Sequence, residues 1–435
     1  MCWYDSSPGV FDRFMTQPAN KWRALCLLAM AALWPALGHA QGLGSTGLSV
    51  GGNGLKVGEG RLHPTFDFET RFDSAAGYFP PPGDSGATVS GQLSPEAVLH
   101  IRPGLRLELP GSKVNLDLRG YADYVHFTGL LTPGSTSTSH LEGLADLKVT
   151  INRDAPVGVE LNNHFERSDR TRSVAIGAGV LSLYNEVSLG VPLRPGGGAI
   201  DVVPRVHFGI ERFKPLAALF PVGCGSVECD PAGVVNFDYN NLRASLQGRW
   251  RFLPKTAVVV DSQFTYRNYS QGSTPDALVL HATAGLAGLV SPKIAVTAKL
   301  GWGQDFGASA GSALLAQFEG TYLLSHTTTL KVGYSRTLEP VGAFGLFRDD
   351  RGYLEGQALL GGRLTLRGVT AFDSVSFQGP RRDTVFKLDV GPQYQFERWL
   401  IGGFGYLFGV RSSTSPGAGI NYSRHEGYVR MTVTY

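Results

Sequence analysis

The sequence is short of charge and sulfur: 17% of its 435 residues are charged, and it holds four cysteines and four methionines. With 43% hydrophobic residues it is not a polar, disordered chain. It also lacks any apolar run long enough for a membrane helix. The run Ala24 to Leu37 has fourteen residues, and at ~1.5 Å per residue it falls short of a ~30 Å hydrocarbon core, which needs ~20. A membrane anchor is therefore excluded there.

No sign of charge dominates, since the formal net charge is +3, so no nucleic-acid partner is expected. A Gly-rich phosphate loop is missing too: the 57 glycines are spread through strands and turns. His100, His140, His164, His207 and His281 each fall on a different predicted strand, with none paired at metal-ligand spacing. No metal site, cofactor or enzyme activity is expected, although a Ser/His hydrolase site assembled from distant residues stays open as a minor alternative.

What is present begins with an export signal. Lys21 and Arg23 precede the apolar run, and Gly38-His39-Ala40 supplies small residues before a cut at Gln41. Residues 1–40 are therefore expected to be a signal peptide, with Met15 a candidate start. Of the cysteines, only Cys224 and Cys229 would remain, and in an oxidising compartment they could close a small loop. A redox or metal role has the wrong spacing. Residues 41–60 are Gly-rich and show no strand period, which suggests a periplasmic lead-in or a segment tucked into a lumen.

From Arg61 to Tyr435 one pattern repeats. Leu62, Phe66, Phe68 and Phe72 alternate with Arg61, His63, Asp67, Glu69, Arg71 and Asp73, a period of two that sends the sets to opposite faces. Leu99, Ile101, Leu105, Leu107 and Leu109 likewise oppose His100, Arg102, Arg106 and Glu108. Val114, Leu116, Leu118 and Ala122 oppose Asn115, Asp117, Arg119 and Asp123, and Leu141, Leu147, Val149 and Ile151 oppose Glu142, Asp146 and Lys148. Further strands start near Val157, Leu181, Ala199, Val235, Thr256, Ala277, Ile294, Ala313, Thr328, Arg351, Leu364, Asp383, Trp399 and Ile420, about eighteen in all.

Segments of about ten residues suit a tilted membrane strand better than a sandwich, whose strands commonly run ~5 to 6. No fixed short repeat marks a β-helix. Backbone groups in lipid have no water to bond, so such strands must close into a barrel. The fold class expected for 61–435 is all-β: an antiparallel outer-membrane β-barrel with short periplasmic turns and longer extracellular loops. Its outer surface would contact membrane lipids, with Phe72, Tyr124, Trp250, Phe264, Tyr266, Trp302, Tyr322, Tyr394, Trp399, Tyr406 and Tyr435 as girdle candidates.

Barrels of this size leave an aqueous channel. The expected pore-lining set mixes signs: Arg102, Arg106, Arg119, Arg205, Arg243, Arg249, Arg267, Arg367 and Lys387 against Glu108, Asp117, Asp146, Glu160, Asp261 and Asp389. That resembles a general hydrophilic path and not a one-sign filter. For any one charge, a salt bridge bracing the wall is the competing role.

The chain ends on the alternating strand Val429 to Tyr435, which resembles the terminal signal read by the barrel assembly machinery, with Tyr in place of the usual Phe. The opening hairpin, Arg61-Leu62-His63-Pro64-Thr65-Phe66-Asp67-Phe68 and then Ala97 to Arg106, resembles a β-barrel porin family linked to exopolysaccharide export, related to the poly-N-acetylglucosamine export porins. The resemblance implies a sugar polymer as substrate and a periplasmic polysaccharide export protein as partner; in such a tunnel Tyr121, Tyr184 and Tyr428 would offer transient hydrogen bonds and stacking, with a structural role as the competing reading. A passive porin for small solutes is the alternative, and a barrel enzyme acting on lipid is a more distant one. A plug-bearing TonB-dependent receptor is not expected, because no plug domain lies ahead of Arg61, and a surface adhesin would carry larger loops.

Overall fold

The structure, a computed structural model, describes residues 54–76, 94–131, 139–170, 178–215, 237–270, 274–307, 310–342, 345–414 and 421–435. The expected signal peptide, most of the Gly-rich lead-in and the Cys224–Cys229 pair lie outside the described residues.

Alternating sequences become antiparallel strands in chain order: β1 (Leu55–Val57), β2 (Gly60–Ala76), β3 (Ser94–Leu109), β4 (Val114–Phe127), β5 (His140–Ile151), β6 (Val159–Arg170), β7 (Ala178–Gly190), β8 (Ile200–Pro215), β9 (Tyr239–Leu253) and β10 (Thr256–Tyr269). The series continues with β11 (Ala277–Ser291), β12 (Ile294–Asp305), β13 (Ser312–Ser325), β14 (Thr328–Pro340), β15 (Leu346–Leu360), β16 (Leu364–Phe377), β17 (Arg382–Glu397), β18 (Leu400–Ser413) and β19 (Tyr422–Thr434). Each strand from β2 on pairs with the next, and β19 returns to pair with β2, with Thr434 opposite Thr65 and Glu426 opposite Asp73. Closure leaves no edge with unpaired amides. The wall has eighteen strands, because β1 only extends the foot of β2, with Leu55 opposite Leu62.

That short β1 corrects the expectation of a lead-in without strand structure. Three residues are too few to show a period, and the hairpin depends on Gly58, whose φ of +59° few other residues adopt cheaply. Strand β15 also begins earlier than expected, at Leu346 instead of near Arg351.

The ends of the barrel differ. At one end the connections are brief: Pro254-Lys255, Pro292-Lys293 and His326-Thr327 join their strands directly, and Gly361 and Gly362, with φ of +57° and +71°, turn β15 into β16. The longest connections, residues 77–93, 128–139 and 216–238, all lie at the other end, which is therefore the extracellular one.

Two faces result from the period of two. Phe66, Phe68, Leu105, Phe208, Leu242, Leu300, Phe318, Leu366, Phe404, Val429 and Met431 are exposed on the outside, as are all eleven girdle candidates. No aqueous protein leaves so continuous an apolar band in water. Closed barrel and apolar belt together make this an outer-membrane β-barrel, crossed by strands of 12 to 17 residues.

Candidate functional site: the lumen wall

The inner face holds the polar set. In the first hairpin Asp67, Glu69, Arg71 and Asp73 face inward, with Arg102 opposite Asp67 and His100 opposite Glu69. Arg102 donates from Nε to Asp123 Oδ2 at 2.5 Å and from a terminal nitrogen to Glu69 Oε2 at 3.0 Å. Arg71 binds Glu69 at 2.5 Å and Glu426 at 3.0 Å. Glu426 also receives Arg170 at 2.6 Å, and Arg424 reaches Asp73 at 2.5 Å. Arginine's planar fork suits these shared carboxylates better than a lysine would.

A second network covers the wall from β4 to β9. Glu186 accepts from Tyr184 at 2.6 Å, from Arg243 at 2.7 Å, and pairs with His207 Nδ1 at 3.0 Å. Arg205 binds Glu160 at 2.6 Å, and Asp146 joins Arg119 at 2.9 Å to His164 at 2.5 Å. The remaining expected residues stand on the same inner face. Arg106 pairs with Glu108 at 2.6 Å, Lys299 with Asp261 at 2.8 Å, and Lys387 lies 3.8 Å from Asp373. Asp117 stands opposite Lys148, Arg249 opposite Asp201, and Arg367 is 3.6 Å from Glu355. Arg267 donates to the Pro340 carbonyl at 2.5 Å and covers the Tyr239 ring at 4.2 Å. Asp389 is buried, with one carboxylate oxygen unpartnered.

An apolar patch in the lumen escapes the sequence pattern. Phe213, Phe237, Tyr239, Tyr269, Val279, Leu315, Leu338, Val341, Leu346, Phe347, Val375 and Phe377 form one buried cluster at the extracellular ends of β8 to β16. These are inward positions that alternation reserves for polar groups. They narrow the outer half of the lumen from one side.

Opposite this patch a pocket opens between β2–β6 and β18–β19. Glu69, Arg71, His100, Arg102, Asp123 and Tyr121 are among its walls, with Glu142, Asp169 and Arg170 toward the outside. Of the three tyrosines considered for stacking, Tyr428 packs its ring over Gly405 on the neighbouring strand, where a Cβ would lie 2.4 Å from Cζ. Tyr353 covers Gly333 in the same way. Such ring-over-glycine packing stiffens a bent wall, a structural use of a lumen tyrosine.

No protein-family model matches the sequence, and no curated protein sequence matches it. Among solved structures, the chain is similar to the siderophore receptor PirA from Pseudomonas aeruginosa, at 11% identity and a TM-score of 0.43, covering 86% of this chain and 80% of that one. It is similar to the FrpB iron transporter from Neisseria meningitidis, at 8% identity and a TM-score of 0.45, covering 83% of this chain and 63% of that one. OccAB4 of Acinetobacter baumannii gives 10% identity and a TM-score of 0.45, over 86% of this chain and 98% of that one.

Proposed function

We propose that the barrel is a conduit through which hydrophilic solutes cross the outer membrane along the charged inner wall, with Arg102, Arg106, Arg119, Arg205, Arg249, Arg267, Lys387, Glu108, Asp117, Asp146, Glu160, Asp261 and Asp389 lining the path. The observation that carries this reading is the inner face itself: arginines and carboxylates alternate around an eighteen-strand circumference. A wall of mixed sign offers many weak sites and no deep well, as passage requires. Purified protein in liposomes should make them swell in iso-osmotic arabinose or glucose, and protein-free liposomes should not. Folded, inserted barrel without swelling would sink the proposal.

A second reading, export of exopolysaccharide with a periplasmic export protein as partner, draws on the opening hairpin and on Tyr121 and Tyr428 in the cavity wall. The apolar cluster and the packing of Tyr428 against Gly405 weigh for small solutes over a polymer. Deleting the gene and measuring polysaccharide outside the cell separates the two. Loss restored by complementation favours export, and unchanged export leaves the solute conduit.

A further inference from the structure

We propose that the extracellular half of the lumen holds a divalent transition-metal site built from His140, Glu142 and Asp169. The proposal is independent of which solute the barrel conducts. Donor atoms of the three side chains lie within 4.8 Å of one another. A first-row ion with ligand bonds of ~2.0–2.2 Å draws its ligands to roughly 3.5 Å apart, so side-chain shifts of about an ångström complete the site.

Backbone geometry explains the grouping. His140 and Glu142 are two apart on β5 and share its inner face. A register irregularity between Ser168 and Arg170 swings the end of β6, and the Asp169 amide donates to Glu142 Oε1 at 2.6 Å. His140 Nε2 meets the same oxygen at 3.1 Å. A metal ion would take the place of the proton between His140 and Glu142, leaving Glu142 held by the Asp169 amide. The His140 ring is backed by Phe127, centroid to centroid 6.0 Å, which limits its rotation.

A separate observation points to a cation. Asp123 stands directly opposite Glu142 on β4 and lines the same cavity. It is 2% exposed, and its Oδ1 has no hydrogen-bond partner. A buried carboxylate oxygen without a donor is costly, and it faces a region where Glu142, Glu166 and Asp169 add negative charge. Arg102 and His100 satisfy only its other oxygen. One imidazole with carboxylates suits Zn²⁺ or Mn²⁺ better than the all-oxygen shells of Ca²⁺.

The test is titration of the purified, detergent-folded full-length barrel with Zn²⁺ against a chromophoric chelator. Heat-modifiable gel mobility confirms folding of each variant. The expected result is one saturable equivalent, weakened at least about tenfold by His140→Ala and by Asp169→Asn, and unchanged by His126→Ala, a neighbouring histidine hydrogen-bonded to Ser139. Absence of saturable binding overturns the proposal. So does binding that survives His140→Ala and Asp169→Asn, or that Ca²⁺ displaces at equal concentration.

Discussion

Replacing Arg102 by Met keeps the volume and removes the charge at the centre of the first network. Arg102 is 5% exposed and gives one hydrogen bond to Asp123 and one to Glu69. Each bond to a charged acceptor is worth about 1.5–3 kcal/mol. Arg71 still serves Glu69 and His100 still serves Asp123, so the net loss should be about 3–5 kcal/mol, as for breaking other buried pairs. Arg106→Met is the control: Arg106 and Glu108 make an equally short contact, 2.6 Å, but their side chains are 29% and 31% exposed, which limits the loss to about 1 kcal/mol or less. Urea unfolding in lipid vesicles, followed by tryptophan fluorescence, measures both. Equal small losses would refute the reasoning, because they would mean that water solvates Glu69 and Asp123 as freely as Glu108.

Four further outcomes are expected. Gly405→Ala pushes a methyl against the Tyr428 ring and should cost about 1–3 kcal/mol in the same unfolding assay, recovered in part when Tyr428→Ala is added. Leu300→Arg puts a charge on a lipid-facing residue that is 64% exposed midway along β12; it should cost about 2–4 kcal/mol, against little effect when the barrel is kept in detergent with loose packing. Phe347→Ala opens the apolar cluster, and should raise single-channel conductance while costing about 3–5 kcal/mol. Asp276, just outside β11, accepts from Tyr266 at 2.7 Å and from the Tyr269 amide at 3.2 Å. The Tyr266 hydroxyl holds the Asp276 carboxyl below its ordinary value of 3.8. A lowered carboxyl stabilises this turn above that value and stops doing so as pH falls through the folded one; hydrogen exchange at the Tyr269 amide should therefore quicken only below pH 3.8.

Much of the wall was legible because lipid on one side and water on the other impose a period of two. Phe66, Phe68 and Phe72 against Asp67, Glu69 and Arg71 need no other information. The pattern fails where both faces are wet. Arg348, Asp349, Asp350 and Arg351 read as an unbroken charged run, yet they belong to β15 near its extracellular end, where Asp350 binds Tyr334 and Arg336 on the outer side. Alternation also says nothing of partners. Arg71 and Glu426 meet only because β19 closes on β2, 355 positions away. The apolar lumen cluster was hidden for a related reason, since Val375 and Phe347 on an inward face look like errors of phase until the circle is closed. His140 and Glu142 carried a readable signal, two metal-binding types at i and i+2 on one strand. Asp169 did not, because it joins them through an irregularity in β6.

The most direct measurement is liposome swelling by the purified barrel in a series of uncharged sugars of rising size. A hydrophilic conduit narrowed on its outer side gives fast swelling with monosaccharides and slower swelling with each added ring, relieved by Phe347→Ala. Inserted, heat-modifiable barrel that swells liposomes with none of them would contradict it.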